Sequence, residues 1–281
     1  MTAWRRFRGH PPGLIGLGIV LVFVALAVFA PVLSPYDPNA QDLGSAIQGP
    51  SAEHWLGTDQ LGRDIATRLM YGGRISLLIG VLAVSIGLAV GVPLGILAGY
   101  YGGWADLAIS RLADMMFAFT SILLALTLVA VLGVSLQNVI IAVGISVIPV
   151  IIRLVRSSVL SIREEPYVEA ARMLGAGDLR IITRHVFRNA LTPVLVHGTL
   201  SIGVSILLAA GLGFLGLGVQ SPTAEWGTML GEGRQFIFSA PHLTTFPGVA
   251  IFLAILAFNL LGDGLRDALD PRMRSVDRPA G

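Results

Sequence analysis

Few residues in this chain could do bond-making chemistry, and their types exclude most of it. All 19 basic residues are arginine. Without lysine the chain holds neither the phosphate-cradling G-x-x-x-x-G-K-[ST] loop nor a Schiff-base amine, so any ATP chemistry belongs to another polypeptide. The five histidines, His10, His54, His185, His197 and His242, lack the spacing of a local zinc motif, and no metal site is expected. His197 alone lies inside an apolar run, where packing with a satisfied hydrogen bond is favoured over a pathway role. Asp114 with Arg111, and Asp263 with Arg266, have the spacing of i, i+3 helix pairs. Ser146, Ser201 and Ser205 find no partner at matching depth for a catalytic constellation and suit helix packing instead. No catalytic residue is expected.

What remains is one polar, patterned stretch, Ser161-Ile-Arg-Glu-Glu-Pro-Tyr-Val-Glu-Ala-Ala-Arg-Met-Leu-Gly175. Pro166 suits the first turn of a helix, Glu164, Glu165 and Glu169 suit its positive end, and Gly175 suits the left-handed position that stops it. Asp178 is expected to cap a second helix in which Leu179, Ile182 and Val186 share a face, with Pro193 at the junction to the next apolar run. A helix as short as Pro166 to Leu174 is marginal in water and needs something to pack on. An amphipathic hairpin resting on lipid is one reading. Docking to a soluble protein is the other, favoured by Ala170 and Ala171, which allow close approach to a protein groove and bury little in lipid.

The elements that must position this stretch are membrane helices. Of 281 residues, 54% are hydrophobic and 13% charged, with 34 glycines and no cysteine; a soluble chain carries about a quarter of its residues as charges. Disorder, nucleic-acid binding and a disulfide-built fold are excluded. Crossing the hydrocarbon takes about 20 apolar residues. Runs at about Leu14–Leu33, Ser76–Gly99, Met115–Gly133, Val139–Ile152, Leu191–Gly218 and Phe246–Leu261 make an all-α integral membrane protein with six transmembrane helices, both termini on one side. The fourth run is short and ends at Arg153. The first exceeds the usual 7–15 apolar residues of a signal peptide and reads as an uncleaved anchor. With the N-terminus inside, 15 arginines fall on the cytoplasmic side and only Arg63, Arg68, Arg74 and Arg234 outside, as the positive-inside bias requires. Ser34–Gly73, rich in proline and acids, reads as an external loop. In the second run Ala83, Gly87, Gly91, Gly95 and Gly99 recur every four residues, a stripe where another backbone can come close; Pro93 should kink that helix locally.

Glu169-Ala170-Ala171 with Gly175, continued by His185-Val-Phe-Arg-Asn-Ala-Leu-Thr-Pro193, resembles the EAA loop of ABC-importer permeases. The chain is similar above all to the C-type permease subunit of dipeptide, oligopeptide and nickel importers. The ordered set Phe29-Ala-Pro-Val-Leu-Ser-Pro-Tyr-Asp-Pro38, Leu56-Gly-Thr-Asp-Gln-Leu-Gly-Arg-Asp64, Tyr71-Gly-Gly-Arg-Ile-Ser76, Phe214-Leu-Gly-Leu-Gly218 and Leu260-Leu-Gly-Asp-Gly-Leu-Arg-Asp-Ala-Leu-Asp-Pro271 carries that likeness along nearly the whole chain.

The resemblance implies a type I ABC importer permease fold, a five-helix core plus an N-terminal helix. Residues 1–12 would be a cytoplasmic arm, 13–34 the first helix, 35–73 an extracytoplasmic loop, 74–266 the permease core with its coupling loop at about 157–190, and 267–281 a cytoplasmic tail. It implies a bacterial plasma (inner) membrane location, a heterodimer with a second homologous permease, two ATP-binding cytoplasmic subunits that hold ATP and magnesium, and an extracytoplasmic binding protein that delivers peptides. Tyr167, Glu169, Ala170, Ala171, Arg172, Gly175, Asp178 and His185 would meet the ATPase. A nickel or other small-solute permease is the alternative cargo, and an ATP-independent carrier or channel the rival class; the spans lack the interior carboxylate an ion-coupled carrier ordinarily needs. Three positions depart from the family pattern: Arg188 and Thr120 replace frequent prolines and should alter local helix geometry, and Ala209 replaces a frequent intramembrane glutamate, which removes an electrostatic cargo contact there.

Overall fold

A computed structural model describes residues 7–269. The basic residues Arg5 and Arg6, and the tail with Pro271, Arg272, Arg274 and Arg278, lie outside the described residues. The long helices are α1 (Pro11–Leu33), α2 (Ile65–Tyr101), α5 (Leu136–Arg163), α7 (Asp178–Phe214) and α9 (His242–Leu269), each long and apolar enough to cross a membrane. Shorter ones are α3 (Gly103–Phe117), α4 (Ser121–Leu132), α6 (Pro166–Met173) and α8 (Trp226–Gly233).

The third expected span is not one helix. It is the pair α3 and α4, bent by 87° at residues 118–120. Thr120, at the bend, holds φ −63°, a value that proline would also take, so the backbone there does not depend on the ring. The expected fourth span did not end at Arg153 either. The helix runs on to Arg163, since a charge ends an apolar run without ending a helix, and two of its arginines pair with α3: Arg153 Nη2 lies 2.9 Å from Asp114 Oδ1, and Arg156 forms a two-point ion pair with Asp106. Asp114 therefore pairs with α5 rather than with Arg111, and no ion pair joins Asp263 to Arg266 among the described residues. The second span begins eleven residues before the expected Ser76, at Ile65, where the Asp64 carboxylate accepts the Thr67 N–H at 2.7 Å and so caps the first turn.

Tight contact between α2 and α5 organises the bundle. Gly87, Gly91, Gly95 and Gly99 face Val147, Ile151, Val155 and Val159 in constant register. A Cβ on Gly91 would stand 2.7 Å from Ile151 Cβ, closer than side chains tolerate. Partner numbers rise together, so α2 and α5 run parallel, and the chain between them must cross the whole bundle. The bent pair α3–α4 makes that crossing. Contacts of Gly80 with Ile206 and of Gly198 with Leu88 make α2 and α7 antiparallel. Gly203 on Ile255 with Gly262 on Leu200, and Gly13 on Gly264 with Gly16 on Ala257, do the same for α7 with α9 and α9 with α1. The start of α1 and the end of α9 consequently lie at the end of the bundle that carries α6.

At the opposite end the polar segment 34–64 is anchored rather than loose. Arg63 and Arg68, expected on an external loop, are 0% and 1% exposed. Arg63 Nε meets Asp59 at 2.6 Å and its Nη2 meets Glu232 on α8 at 2.8 Å; Arg68 reaches both carboxylates at 3.4 Å. Glu225, also buried, caps α8 through the Gly227 and Thr228 amides and accepts a hydrogen bond from Ser76 on α2 at 2.8 Å. Ala209 is buried in the apolar cluster around Ile79, Val139 and Leu212, an environment that accepts its methyl group as it stands.

Candidate functional site

The hairpin between α5 and α7 stands on an apolar root. Val168, Ile181 and Val186 are fully buried in one cluster with Ile96, Tyr100, Val155 and Val159 at the ends of α2 and α5. Burying side chains of this size contributes about 1.5–3 kcal/mol each, which is what a helix of eight residues needs in order to persist. Polar bonds fix the same root. Arg163 Nη1 donates to the Gly99 carbonyl at 3.0 Å, and the Tyr100 hydroxyl donates to Asp178 Oδ1 at 2.7 Å. Asn189 Nδ2 donates to the Tyr167 hydroxyl at 2.9 Å, and the Tyr167 ring lies 6.0 Å from that of His185. Burial, and secondly the Glu165 carboxylate, push the Tyr167 hydroxyl up from its ordinary value, so it stays protonated across the physiological range.

Pro166 occupies the first turn of α6, and Gly175 follows the helix at φ +80° with no atom close to its missing Cβ. Glycine is required there by the backbone conformation alone. Asp178 does not cap the next helix; Gly177 holds the cap position, and the Asp178 side chain is spent on Tyr100. There is also no junction at Pro193, because α7 is continuous from Asp178 through that proline to Phe214. A π-turn over Ile182–Val186 changes its register. Residues five apart then share a face, so Ile181 and Val186 go to the root, while Leu179, expected on the buried face with Ile182, points outward. Arg188 sits exposed on this unbroken helix.

The remaining expected residues fall on the hairpin's free side. Glu169, Ala170 and Arg172 are exposed, and Ala171 and His185 half-buried. Around them project three apolar side chains, Met173, Leu174 and Leu179, at 81%, 88% and 76% exposure. Sequence reasoning missed Tyr100, Arg163 and Asn189 as anchors. Their only signal was position, since Tyr100 follows directly on the last glycine of the ladder. Among the described residues no group of three or more His, Asp or Glu could hold a metal ion. His197, expected with a satisfied hydrogen bond, has no partner there.

Residues 91–275 match the family model of the binding-protein-dependent transport system inner membrane component, and residues 1–50 that of the N-terminal TM domain of oligopeptide transport permease C. A dipeptide transport system permease protein of Alkalihalophilus pseudofirmus is 51% identical over 97% of this chain and 90% of its own length. A glutathione transport system permease protein of Pectobacterium atrosepticum is 50% identical over 97% and 91%. In fold, the chain resembles the MetNI methionine ABC transporter in inward-facing conformations, with TM-score 0.56, 21% identity, and coverage of 75% of this chain and 97% of that one.

Proposed function

The chain belongs to the family of binding-protein-dependent transport system inner membrane components, the permeases of ABC importers, and from that premise we propose that it carries short peptides across the membrane beside a second, homologous permease. It is a transport subunit and not an enzyme; ATP hydrolysis belongs to partner ATPases. Peptide cargo is supported by relatives named for dipeptide and for glutathione, itself a small peptide. A binding protein would deliver cargo at the end formed by segment 34–64 and α8. Two ATPase subunits, with their ATP and magnesium, would dock at the hairpin end, which with both termini would face the cytoplasm.

One observation carries the docking role. Met173, Leu174 and Leu179 stand exposed on a hairpin whose base is fixed to α2 and α5. Exposed apolar groups on a rigid mount are the pattern of a contact surface rather than of a solvated turn. A groove in the ATPase would cover them, and ATPase movement would reach the bundle through Val168, Ile181 and Tyr100. Leu174→Glu, which changes no root contact, should leave the permease in the membrane and cut the ATPase recovered by co-purification at least tenfold. Full recovery of the ATPase with Leu174→Glu and Met173→Glu together would refute the docking surface.

A further inference from the structure

Near the hairpin end, α5, α7 and α9 enclose a cleft of about 370 Å3. Leu154, Val196 and Leu200 form apolar walls, and Thr192, His197 and Arg266 face it with polar groups. None of these three polar side chains has a hydrogen-bond or ion-pair partner among the described residues. Asp267, the neighbour of Arg266, is taken by His10 at 3.0 Å, and Asp263 is exposed one turn earlier. The Arg266 guanidinium is exposed and the His197 imidazole and Thr192 hydroxyl are half-buried, so all three donors stay open to an acceptor that enters the cleft.

Depth indicates which acceptor. Gly262 lies on Leu200 between antiparallel helices, so one turn later Arg266 is level with Val196 and His197. On α5, Leu154 stands between Arg153 and Arg156, whose ion pairs with Asp114 and Asp106 belong to the edge of the hydrocarbon rather than to its interior. The cleft is therefore charged at headgroup level and apolar beyond it. We propose that it binds an oxyanion, the phosphodiester of an anionic phospholipid, with Arg266 as counter-charge, His197 and Thr192 as donors, and an acyl chain along Leu154, Val196 and Leu200. This assignment rests on the chain's membrane placement and not on its cargo or orientation.

The assembled transporter in detergent is titrated with dioleoylphosphatidylglycerol or dioleoylphosphatidylcholine, and bound lipid is counted by native mass spectrometry. The anionic lipid should bind preferentially. Arg266→Gln should weaken it about tenfold or more, the scale of one lost charge-assisted hydrogen bond, and Arg266→Lys should keep most of the preference. Arg234→Gln, at the opposite end, should change nothing. Equal binding of both lipids, or unchanged affinity in a correctly assembled Arg266→Gln transporter, would overturn the site. Displacement of the lipid by millimolar inorganic phosphate would overturn the lipid as its source, and displacement by a dipeptide would give the cleft to the cargo path instead.

Discussion

Four side chains that are absent set how closely α2 and α5 approach. At Gly91 the space that a Cβ would occupy is already filled by Ile151 Cβ and Cγ2, both 2.7 Å away. Gly91→Leu must separate the helices, at a cost of about 1–3 kcal/mol or somewhat more, and should lower the thermal midpoint of the assembled transporter and its uptake together. Leu88→Ile, whose side chain packs over Gly198 on the other face, should be mild. Equal tolerance of both changes would argue against the contact. The period of four was legible in the residue types. Its partner was not, because the facing Val147, Ile151, Val155 and Val159 repeat is as ordinary in a membrane helix as any other β-branched run.

Among the elements, α2 joins the two ends of the molecule. Its 37 residues span about 55 Å at 1.5 Å per residue. One end holds Arg68 and Ser76 against Glu232 and Glu225 of α8, and the other holds Tyr100 against the hairpin. Tyr100→Phe removes only the hydroxyl that reaches Asp178. It should leave the ATPase attached while lowering the cargo-stimulated part of ATP hydrolysis, since a hydrogen bond to a carboxylate is worth about 1.5–3 kcal/mol. Loss of ATPase attachment in this variant, or fully retained stimulation, would contradict a transmitting role.

Hydrophobic runs disclosed where helices cross, and proline, acids and glycine disclosed α6, because each acts through its own backbone. The start at Ile65 and the run of α5 past Arg153 escaped for a common reason. Charged residues such as Arg68, Asp106 and Arg153 interrupt an apolar run in sequence, yet in space they are neutralised by partners far along the chain. The outward Leu179 escaped for a different reason, since its face depends on the one extra residue in the π-turn at Ile182–Val186.

For the whole molecule, parallel α2 and α5 with antiparallel neighbours place the described ends of α1 and α9 beside the hairpin, and the arginine bias supports the proposal that this side faces the cytoplasm. Because the chain has no cysteine, single cysteines at positions 169 and 60 can be labelled with a membrane-impermeant reagent in sealed, right-side-out cells. Position 60 should label and position 169 should not; the reverse pattern would invert the molecule. The most direct test of the central claim, that the α6 hairpin couples an external ATPase to transport, is ATP hydrolysis and peptide uptake measured together in vesicles that hold the assembled transporter. Ala171→Arg crowds the docking surface, and Gly175→Val forces a β-branched residue into φ +80°, which shifts the short α6 against α7 while leaving the membrane helix itself unchanged. Both variants should insert normally and lose cargo-stimulated hydrolysis and uptake at least tenfold, whereas normal uptake by both would contradict the account.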